Sequence, residues 1–250
     1  MPRILITNDD GIEADGLRIL ADRLADLGDI TVVAPAEESS AVSHALTLRR
    51  PLRLTHVIGT WYSVDGTPTD CVHLGCSDVL GQVPDLVVSG INNGLNVGDD
   101  VTYSGTVAGA LEGVLFGAPA LAVSLQRDAT SYAHAADIAR QLSASVLSHG
   151  LPPRTLLNVN VPAVPRGRLR VTVQGKRRQR IDPGRPQHGS PPAEIWIGAA
   201  NLEWERSPQS DYDAIRNGLV SVTPLHTDWT NHTVLSAVEA LAGECLAGVE

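Results

Sequence analysis

RILITNDDGIEADGLRILADRLADLGDITVVA, residues 3–34, is the stretch on which the fold turns. Residues 3–7 are a short apolar run that ends in polar residues, as a buried strand does. Leu17, Leu20, Leu24 and Leu27 then recur at three- and four-residue spacing, which predicts a helix, with Asp15 as its N-cap and Gly28 as its stop. Residues 30–34 (ITVVA) read as a second buried strand. A strand, a helix and a strand whose apolar runs are continuous imply a parallel sheet covered on both faces.

The alternation continues outward. Thr67-Pro68-Thr69-Asp70 reads as a helix start, with a capping hydroxyl, proline at the first helical position and an acid near the positive end of the dipole. Residues 85–89 predict a strand, about 106–116 a helix, 119–124 a strand, about 131–148 an Ala-rich helix and 155–161 a further strand. After Pro165 the texture changes. Residues 166–192 are rich in Arg, Gly and Pro, and the alternating runs 168–173 and 194–198 beside them suggest an antiparallel ribbon outside the parallel sheet. Residues 219–225 are strand-like and 231–247 predict a C-terminal helix. The expectation is a single α/β domain over 1–250: a Rossmann-like, mostly parallel sheet flanked by helices over about 1–165, then a C-terminal antiparallel ribbon or arm and a C-terminal helix over about 166–250.

Composition narrows the function. The formal net charge of −9 disfavours general binding of nucleic acid or anionic membrane, which needs positive surface. Aromatic residues are 4% of the chain, too few for base-stacking platforms, so a nucleic-acid partner is not expected. The three cysteines form no CxxC pair, which points to a reducing, cytoplasmic setting. The most apolar stretch, around Val114 to Leu125, is too short to span a bilayer, so no membrane partner is expected.

Chemistry-bearing residues follow predicted strands, where sites form in open α/β sheets. Asn8-Asp9-Asp10-Gly11 sets two carboxylates side by side at a turn that Gly11 permits. A divalent cation resolves their repulsion, and hard oxygen ligands suit magnesium or manganese. An Asp-rich turn capping a helix fits those four residues equally. Ser89 to Gly98 (SGINNGLNVG) forms an Asn/Gly loop of accessible N–H groups, able to cradle an anion, and it carries Asn92 and Asn96. It contains no GxGxxG, which argues against a dinucleotide cofactor. Ser104, Gly105 and Thr106 open a predicted helix and offer hydroxyls and free N–H groups to an anion. Glu38 to His44 places further hydroxyls at the same sheet edge.

Together these segments resemble the SurE family of survival nucleotidases. The resemblance rests on ILITNDDGI, VVAPAEESSAVSH, GTPTDCV, VSGINNGLNVGDDVTYSGTVAGALEG and GAPALAVS, in order over roughly residues 3–125, and more weakly on LNVNVP and SVTPLHTDWT. It implies a metal-dependent phosphatase acting on nucleoside 5′- and 3′-monophosphates, and in some members on short polyphosphate. Position by position, it implies one divalent ion (Mg2+ or Mn2+) held by Asp9, Asp10, Ser40 and Asn92, with Asp9 and Asp10 catalytic. Counting back from His44 selects Ser40, whereas aligning on the preceding Glu would select Ser39. The substrate phosphate is expected near Asn96, Ser104, Gly105 and Thr106. The resemblance also implies a homodimer or homotetramer built through the C-terminal arms.

His44 and His226 are candidate proton donors, although a structural or substrate-adjacent role is the favoured reading of each. Eight basic residues (Arg166, Arg168, Arg170, Lys176, Arg177, Arg178, Arg180 and Arg185) fall within twenty positions, as a solvated ribbon, an oligomer contact or a landing strip for polyphosphate or nucleic acid. The competing reading of the whole is a non-catalytic nucleotide- or phosphate-binding module on the same fold. The acidic pair separates the two, because a pure anion binder gains nothing from two carboxylates unless a cation sits between them.

Overall fold

The structure, a computed structural model, describes residues 1–179 and 202–247. In chain order the first elements are β1 (Arg3–Thr7), α1 (Asp15–Leu24), β2 (Asp29–Pro35), β3 (Leu54–Ile58), β4 (Trp61–Val64), α2 (Pro68–Leu74) and β5 (Leu86–Asn93). They are followed by α3 (Gly105–Leu115), β6 (Ala120–Leu125), α4 (Ala133–His149), β7 (Thr155–Val161) and β8 (Leu169–Val171). The last are β9 (Arg177–Gln179), β10 (Leu202–Trp204), α5 (Asp211–Arg216), β11 (Val220–His226) and α6 (Leu235–Ala247).

Nine strands form one sheet in the order β3-β4-β2-β1-β5-β6-β7-β11-β8. The run from β4 to β7 is parallel, β3 is an antiparallel edge on β4, and β11 pairs antiparallel with β7. From β1 the chain winds first toward β2 and β4, then crosses back to β5 on the other side. The crevice beyond the carboxyl ends of β1 and β5 is therefore the topological switch point, where such folds place their sites.

The pleat sorts β1 between two cores. Ile4 and Ile6 pack with Leu17, Leu20 and Leu24 of α1 and Ala135, Ala136 and Ala139 of α4. Leu5, pointing the other way, packs with Cys71 and Val72 of α2 and Val107, Ala110 and Val114 of α3. Burying each of the three α1 leucines contributes about 1.5–3 kcal/mol, so tertiary packing holds this ten-residue helix.

The helix starts follow their sequence signals with small shifts. Thr67 caps α2 in a full capping box with Asp70. Ala14, rather than Asp15, is the N-cap of α1, and the helix ends at Leu24, before Gly28. Two expectations need correction. The run near 168–173 does not lie outside the main sheet: β8 joins it, parallel to β11. The C-terminal helix begins at Leu235, after a single tight turn over His232–Val234. The hairpin β3–β4 and helix α5 belong to the fold without having been expected from the sequence. An antiparallel ribbon does exist, but it is β9 paired with β10. The expected strand 194–198, Arg180 and Arg185 lie outside the described residues.

Among the described residues, no helix is long and apolar enough to cross a membrane.

Candidate metal and phosphate site

The turn after β1 sets the geometry. Asn8 is buried, and its side chain clasps Gly11 from both ends: Nδ2 donates to the Gly11 carbonyl at 2.9 Å and Oδ1 accepts the Gly11 N–H at 3.2 Å. Gly11 adopts φ +100°, a region that side chains disfavour. The clasp turns the chain so that Asp9 and Asp10 open into one cleft.

Asp9 is buried, and its Oδ1 accepts a 2.6 Å hydrogen bond from the Thr106 hydroxyl. Its Oδ2 lies against the first turn of α3. A Cβ on Gly105 would sit 2.9 Å from Asp9 Cβ and 3.1 Å from Oδ2, so only glycine permits this approach. Asp10 accepts the Asn93 N–H on Oδ2 at 3.2 Å, which leaves Oδ1 free. Burial raises the Asp9 carboxyl to about 6, opposed by the Thr106 hydrogen bond and reinforced by repulsion from Asp10. Burial also raises Asp10, with Glu38 adding to the rise, while the Asn93 N–H and Arg127 oppose it.

Asn92 arrives by a distortion in β5. The β5–β6 register shifts between Ser89 and Asn92, at Gly90, whose φ is +140° and whose added Cβ would meet the Val123 carbonyl at 2.4 Å. Such irregularities re-aim side chains beside active sites. Asn92 Nδ2 donates to the Gly94 carbonyl at 2.8 Å, which turns its oxygen end away from that bond and leaves it available.

The loop after β2 closes the ring, and here the two candidate serines separate. The Ser39 N–H donates to the Asp9 carbonyl at 2.8 Å and holds the loop against β1, but its side chain lines a separate depression with Thr47, Arg50 and Thr67. Ser40 lines the same cleft as Asp9, Asp10 and Asn92, its hydroxyl donating to Glu38 Oε1 at 2.7 Å. The structure therefore brings Asp9, Asp10, Ser40 and Asn92 together. Every donor they offer is a hard oxygen, and two raised carboxyls side by side are what a divalent cation would relieve. Both features fit magnesium or manganese.

Ser104, Gly105 and Thr106 form the entry to α3. Ser104 Oγ accepts the Val107 N–H at 3.1 Å as N-cap, so its own proton remains free, and Ser104 lines the cleft. The Gly105 and Thr106 N–H groups lie in the first helical turn, where no intrahelical acceptor exists. The Thr106 hydroxyl is engaged with Asp9, its N–H also serves that carboxylate, and Thr106 is fully buried, so it supports Asp9 rather than facing the cleft.

Asn96 lies in the cleft wall, but its side chain anchors the loop: Nδ2 donates to Ser124 Oγ at 2.8 Å. Two buried asparagines of β7 grip its backbone. Asn158 and Asn160 both donate to the Asn96 carbonyl, and Asn160 Oδ1 accepts the Asn96 N–H at 2.8 Å. This network gives the LNVNVP segment its role, which strand pattern alone did not reveal. The signal was present as two asparagines two residues apart on one face of an otherwise apolar strand.

The C-terminal extension completes the wall. Trp204 and Arg177 line the cleft, whose volume is about 850 Å³. The Trp204 ring stacks on Tyr212 with centroids 4.1 Å apart, and Arg177 pairs with Asp100. Behind them Asp211, fully buried, accepts three backbone N–H groups: Gly98 on Oδ2 at 2.8 Å, and Gly175 and Tyr212 on Oδ1 at 2.9 and 2.7 Å. It ties the extension to the loop that carries Asn96.

The two histidines lie elsewhere. His44 Nε2 bonds the buried Glu112 at 2.9 Å, and His73 holds the other Glu112 oxygen at 3.0 Å. His44 and His226 both line a largely apolar cavity of about 490 Å³ beyond Ser104, not the cleft of the acids. Of the basic stretch, Arg170 pairs with Asp213 and Arg177 with Asp100, so two of its charges serve intramolecular contacts.

The sequence profile of the family described as Survival protein SurE matches residues 4–181. The chain is 50% identical over 249 residues to a protein of Geotalea daltonii named 5'-nucleotidase SurE, covering 95% of this chain and 98% of the relative. A protein of Geobacter metallireducens with the same name is 49% identical, with 95% and 96% covered. The crystal structure of the SurE protein from Aquifex aeolicus superimposes with a TM-score of 0.82 at 38% identity, covering 96% of this chain and all of that one.

Proposed function

The chain belongs to the SurE family, and on that premise we propose that it is a metal-dependent nucleotidase, hydrolysing nucleoside 5′- and 3′-monophosphates to nucleoside and phosphate at the cleft of Asp9 and Asp10. The observation that carries the reading is the convergence of four oxygen-bearing side chains with the N-terminus of α3 in one cleft. A phosphate-binding module would need only the helix end. The carboxylate pair beside it, Asp9 buried and Asp10 partly buried, would repel a phosphate in the absence of a cation.

Asp9, Asp10, Ser40 and Asn92 would hold one divalent ion, Mg2+ or Mn2+. Such an ion supplies Lewis acidity toward a phosphate oxygen. The chain's own residues do the rest. The Ser104 hydroxyl and the Gly105 N–H receive charge on the phosphoryl oxygens, aided by the positive end of the α3 dipole. Thr106 orients Asp9, and Gly105 lets the helix end come close enough to act. Asn96, fastened by Asn158, Asn160 and Ser124, keeps the loop beside the phosphate in place. The cleft is large enough for a nucleotide, and Tyr103 and Trp204 give it apolar wall for the nucleoside.

The test is phosphate release from a panel of 5′- and 3′-monophosphates by chelator-treated protein, with manganese or magnesium restored. Release that requires the metal supports the proposal. Nucleotide binding without release, at any metal concentration, would favour the non-catalytic module.

The two serines give a sharper check. Ser40→Ala is expected to weaken Mn2+ binding about tenfold, as loss of one ligand or its direct support does, while Ser39→Ala leaves Mn2+ affinity near wild type. Calorimetric titration of the two variants reads the difference, and equal losses would mean that the loop, not the Ser40 hydroxyl, is what matters.

A homodimer or homotetramer is part of the same proposal. Leu235, Val238 and Leu241 of α6 are exposed, as a helix covered only in an assembly would be. A cytoplasmic setting accords with the free, buried Cys71 and Cys76.

A further inference from the structure

Beside Asp9, Asp10, Ser40 and Asn92, the cleft carries a cationic residue that lies outside every motif. Arg127 follows the end of β6 and lines the cleft with Asp9 and Asp10. Its Nε donates to the Asn93 carbonyl at 3.1 Å, while the N–H of the same residue reaches Asp10. Arg127 and Asp10 thus flank a single residue, close enough that the guanidinium opposes the rise of the Asp10 carboxyl. Gly94 makes room for it: a Cβ there would stand 3.3 Å from Nε.

The rest of the guanidinium is available. Among the described residues no carboxylate lies within ion-pairing distance of Arg127, and neither terminal nitrogen has a hydrogen-bond acceptor. The cleft's other arginine differs, because Arg177 is bound to Asp100 through its side chain and to Asp99 through its N–H. With Asp9, Asp10, Glu38, Asp100 and Asp128 around the same cleft, Arg127 is, among the described residues, the cation left for an incoming anion. Its position is also complementary. The α3 N-terminus reaches the site from the Asp9 side, through Thr106 and Gly105, whereas Arg127 reaches it from the Asp10 side.

We propose that Arg127 is a substrate-binding residue that takes a non-bridging oxygen of the substrate phosphate opposite the α3 N-terminus, completing a clamp across the cleft. The guanidinium fork matches a phosphate, and its anchored Nε sets its orientation before substrate arrives. The inference rests on the nucleotidase reading of the cleft and adds a residue that the family motifs do not contain.

Inorganic phosphate is the probe. It is titrated calorimetrically into the manganese-loaded full chain, and Mn2+ is titrated separately into the stripped chain, for wild type, Arg127→Ala and Arg127→Lys. The expected result for Arg127→Ala is a loss of at least tenfold in phosphate affinity and a similar rise in KM for a nucleoside monophosphate. Arg127→Lys should recover part of both, because charge without the fork is a weaker clamp. Mn2+ affinity should not fall in either variant, since Arg127→Ala removes a positive charge near Asp10 and Arg127→Lys leaves that charge in place. Phosphate affinity and KM within twofold of wild type in Arg127→Ala, with wild-type turnover intact, would overturn the role of Arg127 alone. Parallel loss of phosphate and Mn2+ affinity would overturn it too, reducing Arg127 to a strut for Asn93. A wild-type chain that binds no phosphate and releases none from nucleotides would bring down the nucleotidase reading together with the clamp.

Discussion

Asp9→Asn is expected to lower nucleotide hydrolysis by about a thousandfold or more while making the metal-free protein more stable. The first effect follows from losing a charged donor where charge on a phosphoryl group must be balanced; single electrostatic contacts in such sites contribute about 10²–10³ in rate, and a metal ligand contributes at least as much. The second follows from linkage. Asp9 has a folded pKa of about 6 against an ordinary value of 3.8, because burial disfavours its charge. The fold therefore binds the Asp9 proton more tightly than the unfolded chain does, and stability falls as pH rises through the window from about 4 to 6. At pH 7 the penalty is fully present, about 2–3 kcal/mol at most for a shift of this size. Asparagine keeps the shape and can still accept from Thr106, without the charge. Thermal melts of metal-free protein should show Asp9→Asn raised by about 5–10 °C at pH 7. The gap should narrow toward pH 4–5 as wild-type Asp9 takes up its proton, and it should close at pH 7 when saturating Mn2+ is added to wild type. A variant that melts below wild type at pH 7 without metal would contradict the strained-carboxylate account of the site.

Asp211→Asn carries the second large effect, at a residue outside the cleft. The Asp211 carboxylate is fully buried, and its pKa is raised by that burial even though the N–H groups of Gly98, Gly175 and Tyr212 hold it down. An asparagine must turn its NH2 toward at least one of those N–H groups. Leaving a buried donor unsatisfied, and replacing charge-assisted bonds with neutral ones, costs about 2–4 kcal/mol. The disturbance falls on Gly98 and so on the loop that ends in Asn96, while the turn of Asp9 and Asp10 keeps its own clasp through Asn8. The expected result is a drop of about tenfold or more in kcat/KM, a lower melting temperature and unchanged Mn2+ stoichiometry. Loss of metal binding in Asp211→Asn would mean that the extension supports the whole site and not only the phosphate loop.

These two residues also mark what the amino-acid sequence discloses and what it conceals. Asp9 is legible because its chemistry is local: two acids, a glycine and a preceding apolar run define strand, turn and site within eight positions. The same holds for the central strands and for α1, whose periodicity is long and regular, and for the Thr67 capping box. Asp211 is not legible, because its partners Gly98 and Gly175 are brought to it only by the folded extension. Arg127 is hidden for a like reason, since its place beside Asp10 depends on the register of β6 against β5. The hairpin β3–β4 escaped notice because all five residues of β3 are exposed, so no burial pattern writes itself into that strand. β8 is not recognisable as part of the sheet from its sequence, because three residues carry too little pattern to show that β11 accepts them as a parallel neighbour. Thr106 illustrates a finer limit: a hydroxyl at a helix start reads as a phosphate ligand, and only the 2.6 Å bond to Asp9 shows that it serves the carboxylate.

On the proposed reading, Asp9, Asp10, Ser40 and Asn92 hold one divalent ion beside the N-terminus of α3. Anomalous diffraction from crystals soaked in Mn2+ tests it most directly. One strong anomalous peak per chain is expected, within about 2.0–2.3 Å of oxygen atoms from these four side chains, and no such peak in Asp9→Asn crystals soaked identically. A strong peak elsewhere in the chain, or a peak at this cleft that persists without the Asp9 carboxylate, would contradict it.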